Sequence, residues 1–300
     1  MVQRNPLPLP STTPLTPGEA MPHKPYPEGT LERLQAEMTE MLAVFDEACQ
    51  KLGLTYFIDG GTALGAARHG GFIPWDDDVD AAMPAADYRR FLAEGASALP
   101  EGYSLHTWEN TERFPTLWAK IWKDGTRFAD APAVEAGMGQ PIFMDVFPSV
   151  PLDADPGIAD RQRRRMLFWQ RLSYLKFIAH PKNVPSAAAQ AACVAAHGVL
   201  SCVPQRFIAR EFERSWRCET PGDLWIDPCY AQYDPMPVDC LLPCQRVSFD
   251  GIETWAPHDL DRYLTRMYGD WHKLPPEEER YTHAPEVLDF GDGVNVAKRR

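Results

Sequence analysis

Between residues 30 and 51 apolar positions recur every three to four residues, so that Leu31, Leu34, Met38, Met41, Leu42 and Phe45 would share one face of a helix. Thr30 is placed to cap that helix and Gly53 to end it. Residues 55–59 read as a short strand leading into Gly60-Gly61. Residues 62–69 read as a helix whose Ala63, Ala66 and Ala67 permit tight packing on a sheet. Residues 78–81 form the next strand and 85–99 the next helix. Further strands are expected over 116–122 and 142–147. The last of these sets Asp145 among hydrophobic neighbours, where a lone acid is costly unless a cation or hydrogen bonds answer it.

From about residue 154 the pattern turns helical, basic and aromatic. Over 158–179, Leu167, Phe168, Leu172, Leu175 and Ile178 keep helical spacing beside Arg161, Arg163, Arg164, Arg165, Arg171 and Lys176. Such a helix is read as a basic solvated face over a core contact, with peripheral contact to an anionic membrane as the competing reading. The Ala-rich stretch 187–203 is interrupted by Gln190, His197 and Ser201 and is read as a packed helix. The tail is Pro-rich and mixed, with a strand near 246–249 and a helix near 259–267. No internal repeat is visible. The expected organisation is a flexible Pro-rich arm (1–27), an α/β core (28–153), a helical insertion (154–227) and a C-terminal part completing the core domain (228–300).

Composition narrows the picture slightly. The 300 residues give room for a sizeable core, and 30 Lys+Arg against 42 Asp+Glu leave a net charge of -12. That balance argues against wholesale nucleic-acid binding, which leaves a basic footprint. Residues 1–10 are polar and Pro-broken, without the apolar core of a secretory signal. No run reaches the roughly 18 uncharged apolar residues of a membrane span. Seven cysteines without regular spacing fit reduced thiols, so the expected location is cytoplasmic, with peripheral contact at the inner membrane surface as an extension. Cys240 and Cys244 with His258 or His272 match no common zinc spacing.

The chemistry concentrates in residues 60–80, GGTALGAARHGGFIPWDDDVD. Asp76, Asp77, Asp78 and Asp80 crowd together, and crowded carboxylates call for positive charge between them. A hard divalent cation supplies it, since Mg²⁺ takes oxygen ligands and is commonly shared with substrate phosphates. On a strand Asp78 and Asp80 share a face, Asp76 joins them if the chain stays extended, and Asp77 faces the other way. A calcium loop beginning at Asp76 fails, because Ala81 and Asp87 stand where Gly and Glu are needed. A solvated acidic turn is the bland alternative.

Gly60, Gly61, Thr62 and Gly65 are a tight strand-to-helix turn, and beside the acidic run they suit a phosphate cradle. No Gly-Lys-Ser/Thr follows, so this is not a P-loop, and the spacing is not that of a dinucleotide fold. Arg68 and Lys120 are candidates for neutralising phosphate, against the plainer reading of surface ion pairs. His69 reads equally as a substrate contact and as a polar helix end.

The run from Gly60 to Asp80 resembles the signature of the LicD family, which includes bacterial phosphocholine transferases and, more distantly, fukutin and fukutin-related protein. Further matches follow in order: Asp87-Tyr88 with Phe91, Lys120 before Asp124-Gly125-Thr126, Met144-Asp145-Val146-Phe147-Pro148, then Tyr268-Gly269-Asp270-Trp271 with Leu274-Pro275-Pro276 and His283. The likeness is strong over about 52–153, moderate over about 240–285 and negligible in the arm and the middle helical segment.

The resemblance implies an α/β (α+β) fold, a nucleotidyltransferase-like mixed β-sheet flanked by helices, here with an extra helical segment. It also implies catalysis in the core and acceptor recognition in the insertion. It implies Mg²⁺ or Mn²⁺ on Asp78 and Asp80 with Asp76 nearby, and Asp145 as a further carboxylate from an adjacent strand. The activity it suggests is transfer of a phospho-alcohol group from a CDP-linked donor such as CDP-choline to a hydroxyl of a glycan or glycolipid, releasing CMP. Asp78, Asp80 and Asp145 would be catalytic, and Gly60, Gly61, Thr62, Gly65, Arg68 and Lys120 would hold phosphate. Two other readings stand beside it: nucleotidyl transfer from an NTP with pyrophosphate release, and a non-catalytic nucleotide- or glycan-binding protein.

Overall fold

A computed structural model describes residues 26–181, 184–283 and 285–298. The expected Pro-rich arm lies outside the described residues except for its last two positions. Helix α1 (Thr30–Leu52) carries the periodic apolar stripe, and Leu34, Met38, Met41, Leu42 and Phe45 are all buried. Its cap is Gly29, in the left-handed region at φ 73, so Thr30 is the first helical residue rather than the cap. Gly53, at φ 60, ends the helix with its N–H bonded to the last-turn carbonyls.

Strand β1 (Phe57–Ile58) is shorter than its sequence suggests, because helix α2 (Gly60–His69) already begins at the double glycine. Strand β2 (Asp80–Pro84) starts at Asp80 and runs into helix α3 (Ala85–Ala98). Strand β3 (Tyr103–His106), β4 (Ala119–Lys123), β5 (Arg127–Ala129), the short α4 (Ala131–Ala136) and β6 (Ile142–Asp153) follow. The helices α5 (Pro156–Phe177), α6 (Ala187–Leu200) and α7 (Gln205–Ser215) come next. After them lie β7 (Pro221–Ile226), β8 (Met236–Pro237), α8 (Val238–Leu241), β9 (Gln245–Phe249), β10 (Ile252–Ala256), α9 (Leu260–Tyr268) and β11 (Val287–Asp289).

The main sheet is mixed, in the order β1-β2-β6-β4-β3, with β7 on the distal half of β6 and β8 beyond it. Strands β2 and β6 pair in parallel; β4 and β6 pair antiparallel. The twelve residues of β6 serve β4 with one half and β7 with the other, so the sheet curls around it. Phe45 of α1 meets Phe91 of α3 and Tyr56 edge-on at centroid distances of 5.3 and 4.7 Å. Each such fully buried side chain contributes roughly 1.5–3 kcal/mol.

Helix α6 departs from expectation. Leu200 is its one buried residue, so the Ala-rich stretch lies against α5 with most of its surface exposed rather than packed in a core. An alanine-rich pattern has no apolar stripe to say which side goes inward.

Candidate active site

The register of the central strands carries the site. Asp80 on β2 stands beside Asp145 on β6, and Asp145 stands beside Lys120 on β4. Cross-strand neighbours share a face, so two carboxylates and an ammonium line up across three strands. Lys120 Nζ lies 2.6 Å from Asp145 Oδ1, with both side chains nearly buried. The angles are not those of a directed hydrogen bond, leaving Asp145 Oδ1 an ion-pair acceptor only. The ammonium also sits 3.6 Å from the centre of the Phe143 ring.

Residues 76–79 precede β2 as extended coil rather than strand, yet the alternation expected of a strand survives. Asp77 and Val79 are buried, while Asp76, Asp78 and Asp80 keep partial exposure. Gln35 of α1 fixes this stretch by donating to the Asp76 carbonyl at 2.9 Å. Thr62 Oγ1 of α2 accepts from Asp80 N at 2.9 Å, anchoring the start of β2 to the glycine turn.

Asp77 points away from its neighbours into a network of its own. It accepts from Tyr26 Oη at 2.5 Å, and from the backbone N of His283 and its ring Nδ1 at 2.9 Å each. His283 Nε2 stands 3.6 Å from Asp78 Oδ2, so the imidazole bridges the two carboxylates. Burial alone would lower His283, but Asp78 and Asp77 outweigh it and hold the ring well above its ordinary value. Burial likewise pushes Asp77 up, and His283 more than reverses it.

The remaining carboxylates are strained electrostatically. Burial, then the charges of Asp78 and Asp77, raise Asp76 well above the usual carboxylate range. Burial, then Asp78 and Asp145, raise Asp80 similarly. Asp76 Oδ2 is buried without a hydrogen-bond partner. A Cβ on Gly61 would come within 3.1 Å of that same oxygen.

These observations test the expected cation. An orphaned buried carboxylate oxygen among repelling carboxylates marks a place short of positive charge, and an all-oxygen donor set is the kind that Mg²⁺ or Mn²⁺ takes. Among the described residues no three His, Cys, Asp or Glu side chains are grouped closely enough to hold a metal by themselves.

A cavity of about 600 Å³ opens over this row of charges. Of the residues singled out in sequence, Gly60, Gly61, Asp78, Asp80, Lys120 and Asp145 line it, and Asp76 abuts Gly61 just behind. Thr62, Gly65 and Arg68 do not. Thr62 is buried on Asp80, and Gly65 packs where a Cβ would lie 2.4 Å from the Gly71 carbonyl. Arg68 donates to the carbonyls of Trp271 and Lys273 at 3.0 and 3.3 Å, tying down the loop after α9. Its partner His69 is exposed beside it. Cys240 and Cys244 donate to backbone carbonyls and gather no metal-ligand group.

Sequence reasoning missed much of the lining. Gly60, at φ 49, has Tyr268 Oη and Asp80 Oδ2 where a Cβ would meet them, at 3.6 and 4.0 Å. Its N–H bonds Tyr263 Oη at 3.0 Å, and that hydroxyl in turn donates to Asp59. Trp118, Phe147, Tyr230 and Tyr233 form an aromatic wall, with Trp118–Phe147, Trp118–Tyr230 and Phe147–Tyr230 centroids 5.1, 5.7 and 5.6 Å apart. Trp118 Nε1 is buried there without a partner. Leu167, Arg171 and Leu175 of α5 and Cys193 of α6 close the far end. These residues converge from distant parts of the chain, so no local spacing marks them as one site.

Comparison with known proteins agrees with this geometry. Residues 53–155 match the family model described as LicD/FKTN/FKRP, nucleotidyltransferase domain. The chain is 28% identical over 261 residues to the lipopolysaccharide cholinephosphotransferase LicD of Haemophilus influenzae, covering 85% of this chain and 96% of that protein. A segment of 28 residues is 64% identical to the ribitol 5-phosphate transferase FKRP of Mus musculus and of Homo sapiens, covering 9% of this chain and 6% of each of those proteins. The Asp80–Asp145–Lys120 row thus lies within the stretch that matches the LicD/FKTN/FKRP nucleotidyltransferase domain.

Proposed function

We propose that the protein is a metal-dependent phosphotransferase that moves a phospho-alcohol, phosphocholine foremost, from a CDP-linked donor to a hydroxyl of a glycan or glycolipid, releasing CMP. The observation that carries this reading is the row Asp80–Asp145–Lys120 with Asp78, lining a cavity together with the rings of Trp118, Phe147 and Tyr230. The charged row suits a diphosphate. The aromatic wall suits an organic cation, which is attracted to ring faces. The relative of near-equal length acts on choline phosphate and lipopolysaccharide, by its name.

Mg²⁺ or Mn²⁺, held by Asp78 and Asp80 with Asp76 in support, would offset charge on the donor's phosphates. Lys120 would place a second positive charge at the diphosphate, and the Gly61 N–H at the start of α2 would face the same oxygens. The acceptor hydroxyl oxygen attacks the phosphorus that bears the alcohol, and the bond from that phosphorus to the CMP oxygen breaks. CMP leaves with the electron pair, and the hydroxyl proton passes to Asp80 or Asp145. Gly60 and Gly61 lack side chains where the phosphates must come close. The reaction would take place in the cytoplasm, at a membrane surface if the acceptor is lipid-linked.

The test is product identity. Incubation with CDP-choline, CDP-ribitol and CDP-glycerol in the presence of Mg²⁺ should release CMP, fastest from CDP-choline, and chelation should stop it. Pyrophosphate from CTP or another NTP, without CMP from any CDP-alcohol, would replace this reading with nucleotidyl transfer. Neither product from the whole panel would favour a binding protein.

A further inference from the structure

The helical segment between β6 and β7 carries a charge and exposure pattern that the reaction does not use. Residues 156–217 hold eleven Lys+Arg against three Asp+Glu, a net +8, so the rest of the chain carries -20 of the total -12. Within this segment α6 has no charged residue at all, and of its 14 residues only Leu200 is buried. Val194 and Val199 are 42% and 72% exposed. An uncharged, exposed helix is unusual on a protein surface, where scattered apolar residues are ordinary but a contiguous patch is not.

The neighbouring helices also expose apolar rings. Phe168 of α5 and Phe207 of α7 are 54% and 51% exposed, and Trp169 joins them, its ring 5.0 Å from Phe168 and 5.8 Å from Phe207. Arg161 and Arg165 on α5 and Arg206 on α7 are exposed, and no ion pair among the described residues engages them. Lys176 of α5 holds the end of α6 by donating to the carbonyls of Leu200 and Ser201 at 3.3 and 3.0 Å. Helices α6 and α7 meet at a bend of 108°, and neither is long and apolar enough to cross a bilayer.

We propose that α5, α6 and α7 form a peripheral docking surface for an anionic lipid bilayer, with the α6 face and Phe168 and Phe207 entering the interfacial region and the arginines meeting lipid phosphates. Apolar entry joined to basic flanks is the composition such surfaces need. Charge decides against the competing occupant, a second copy of this chain. A two-fold contact through this patch would set one +8 segment against another, because such an interface pairs the same surface with itself. Docking here would also turn the far end of the cavity, lined by Leu167, Arg171, Leu175 and Cys193, toward the bilayer. The proposal stands apart from the reaction proposed above, since binding to lipid requires neither donor nor turnover.

Vesicle co-sedimentation of the full chain tests it. Vesicles of phosphatidylcholine with about a third phosphatidylglycerol should retain the protein at least about tenfold better than phosphatidylcholine alone, with retention falling as salt rises. V194E/V199E and, separately, R161A/R165A/R206A should each weaken retention about tenfold or more while leaving circular dichroism and CMP release from a soluble donor unchanged. Failure of the wild type to bind the anionic vesicles overturns the proposal, as does undiminished binding by both variants. Concentration-dependent dimerisation lost in V194E/V199E, without vesicle binding, overturns it in favour of a second copy.

Discussion

Asp78 and Asp80 gather more negative charge than the fold itself neutralises. His283 answers Asp77 and Asp78, and Lys120 answers Asp145, while burial and repulsion raise Asp80 well above its usual range. Repulsion without compensation contributes nothing to folding, so its retention points to binding. Asp78→Asn and Asp80→Asn should each lower turnover by about 10²–10³-fold, while urea unfolding stays within about 1 kcal/mol of wild type. Wild-type turnover in both variants would remove these carboxylates from the mechanism. Gly65 makes the opposite kind of prediction. A Cβ there would lie 2.4 Å from the Gly71 carbonyl and 3.1 Å from Ile73 N, both backbone atoms that cannot swing aside. Gly65→Ala should therefore destabilise by about 1–3 kcal/mol, measured by urea unfolding, through packing rather than phosphate binding. If stability holds and only donor affinity falls, Gly65 is a phosphate contact after all.

At the scale of elements, the pairing of β4, β6 and β2 turns three separate sequence motifs into one row. Lys120 and Asp145 are buried together, and breaking such a pair leaves an uncompensated charge. Lys120→Met should cost about 3–5 kcal/mol, and Lys120→Met with Asp145→Leu should recover most of it, since apolar replacement of a buried pair is often neutral. Neither protein should release CMP. Equal stability of the single and double variants would show that the pair is not what ties β4 to β6. The helical period of α1 and its Gly53 stop were legible because both signals are local. The alternation of Asp76, Asp78 and Asp80 was also legible, although the strand itself begins only at Asp80. The full length of β6 was not: Pro148 and Pro151 interrupt the pattern, yet the strand continues to Asp153 by changing partners from β4 to β7. The orientation of α6 was illegible because alanine marks no face.

At the scale of the molecule, the site joins Tyr26, the 76–80 stretch, Asp145 and His283, and no local signal announces contacts across 206 positions such as His283 with Asp77. The same convergence shapes how the protein should respond to metal. Among the described residues the carboxylates do not make a closed cage, so Mg²⁺ alone meets an incomplete shell, and a diphosphate alone meets carboxylates that repel it. Each ligand supplies what the other lacks, and their binding should therefore be mutually reinforcing. In thermal unfolding, Mg²⁺ alone and CDP-choline with chelator should each raise Tm by little. Together they should raise it by more than the two shifts combined, by several degrees at most, since saturation at about a hundred times Kd contributes about 2.7 kcal/mol and each kcal/mol moves a chain of this size by roughly 2–4 °C. Asp78→Asn and Asp80→Asn should abolish the synergy, because the proposed cation would lose its protein ligands. A shift from Mg²⁺ alone equal to that from both, unchanged in the two variants, would mean that the cation binds elsewhere.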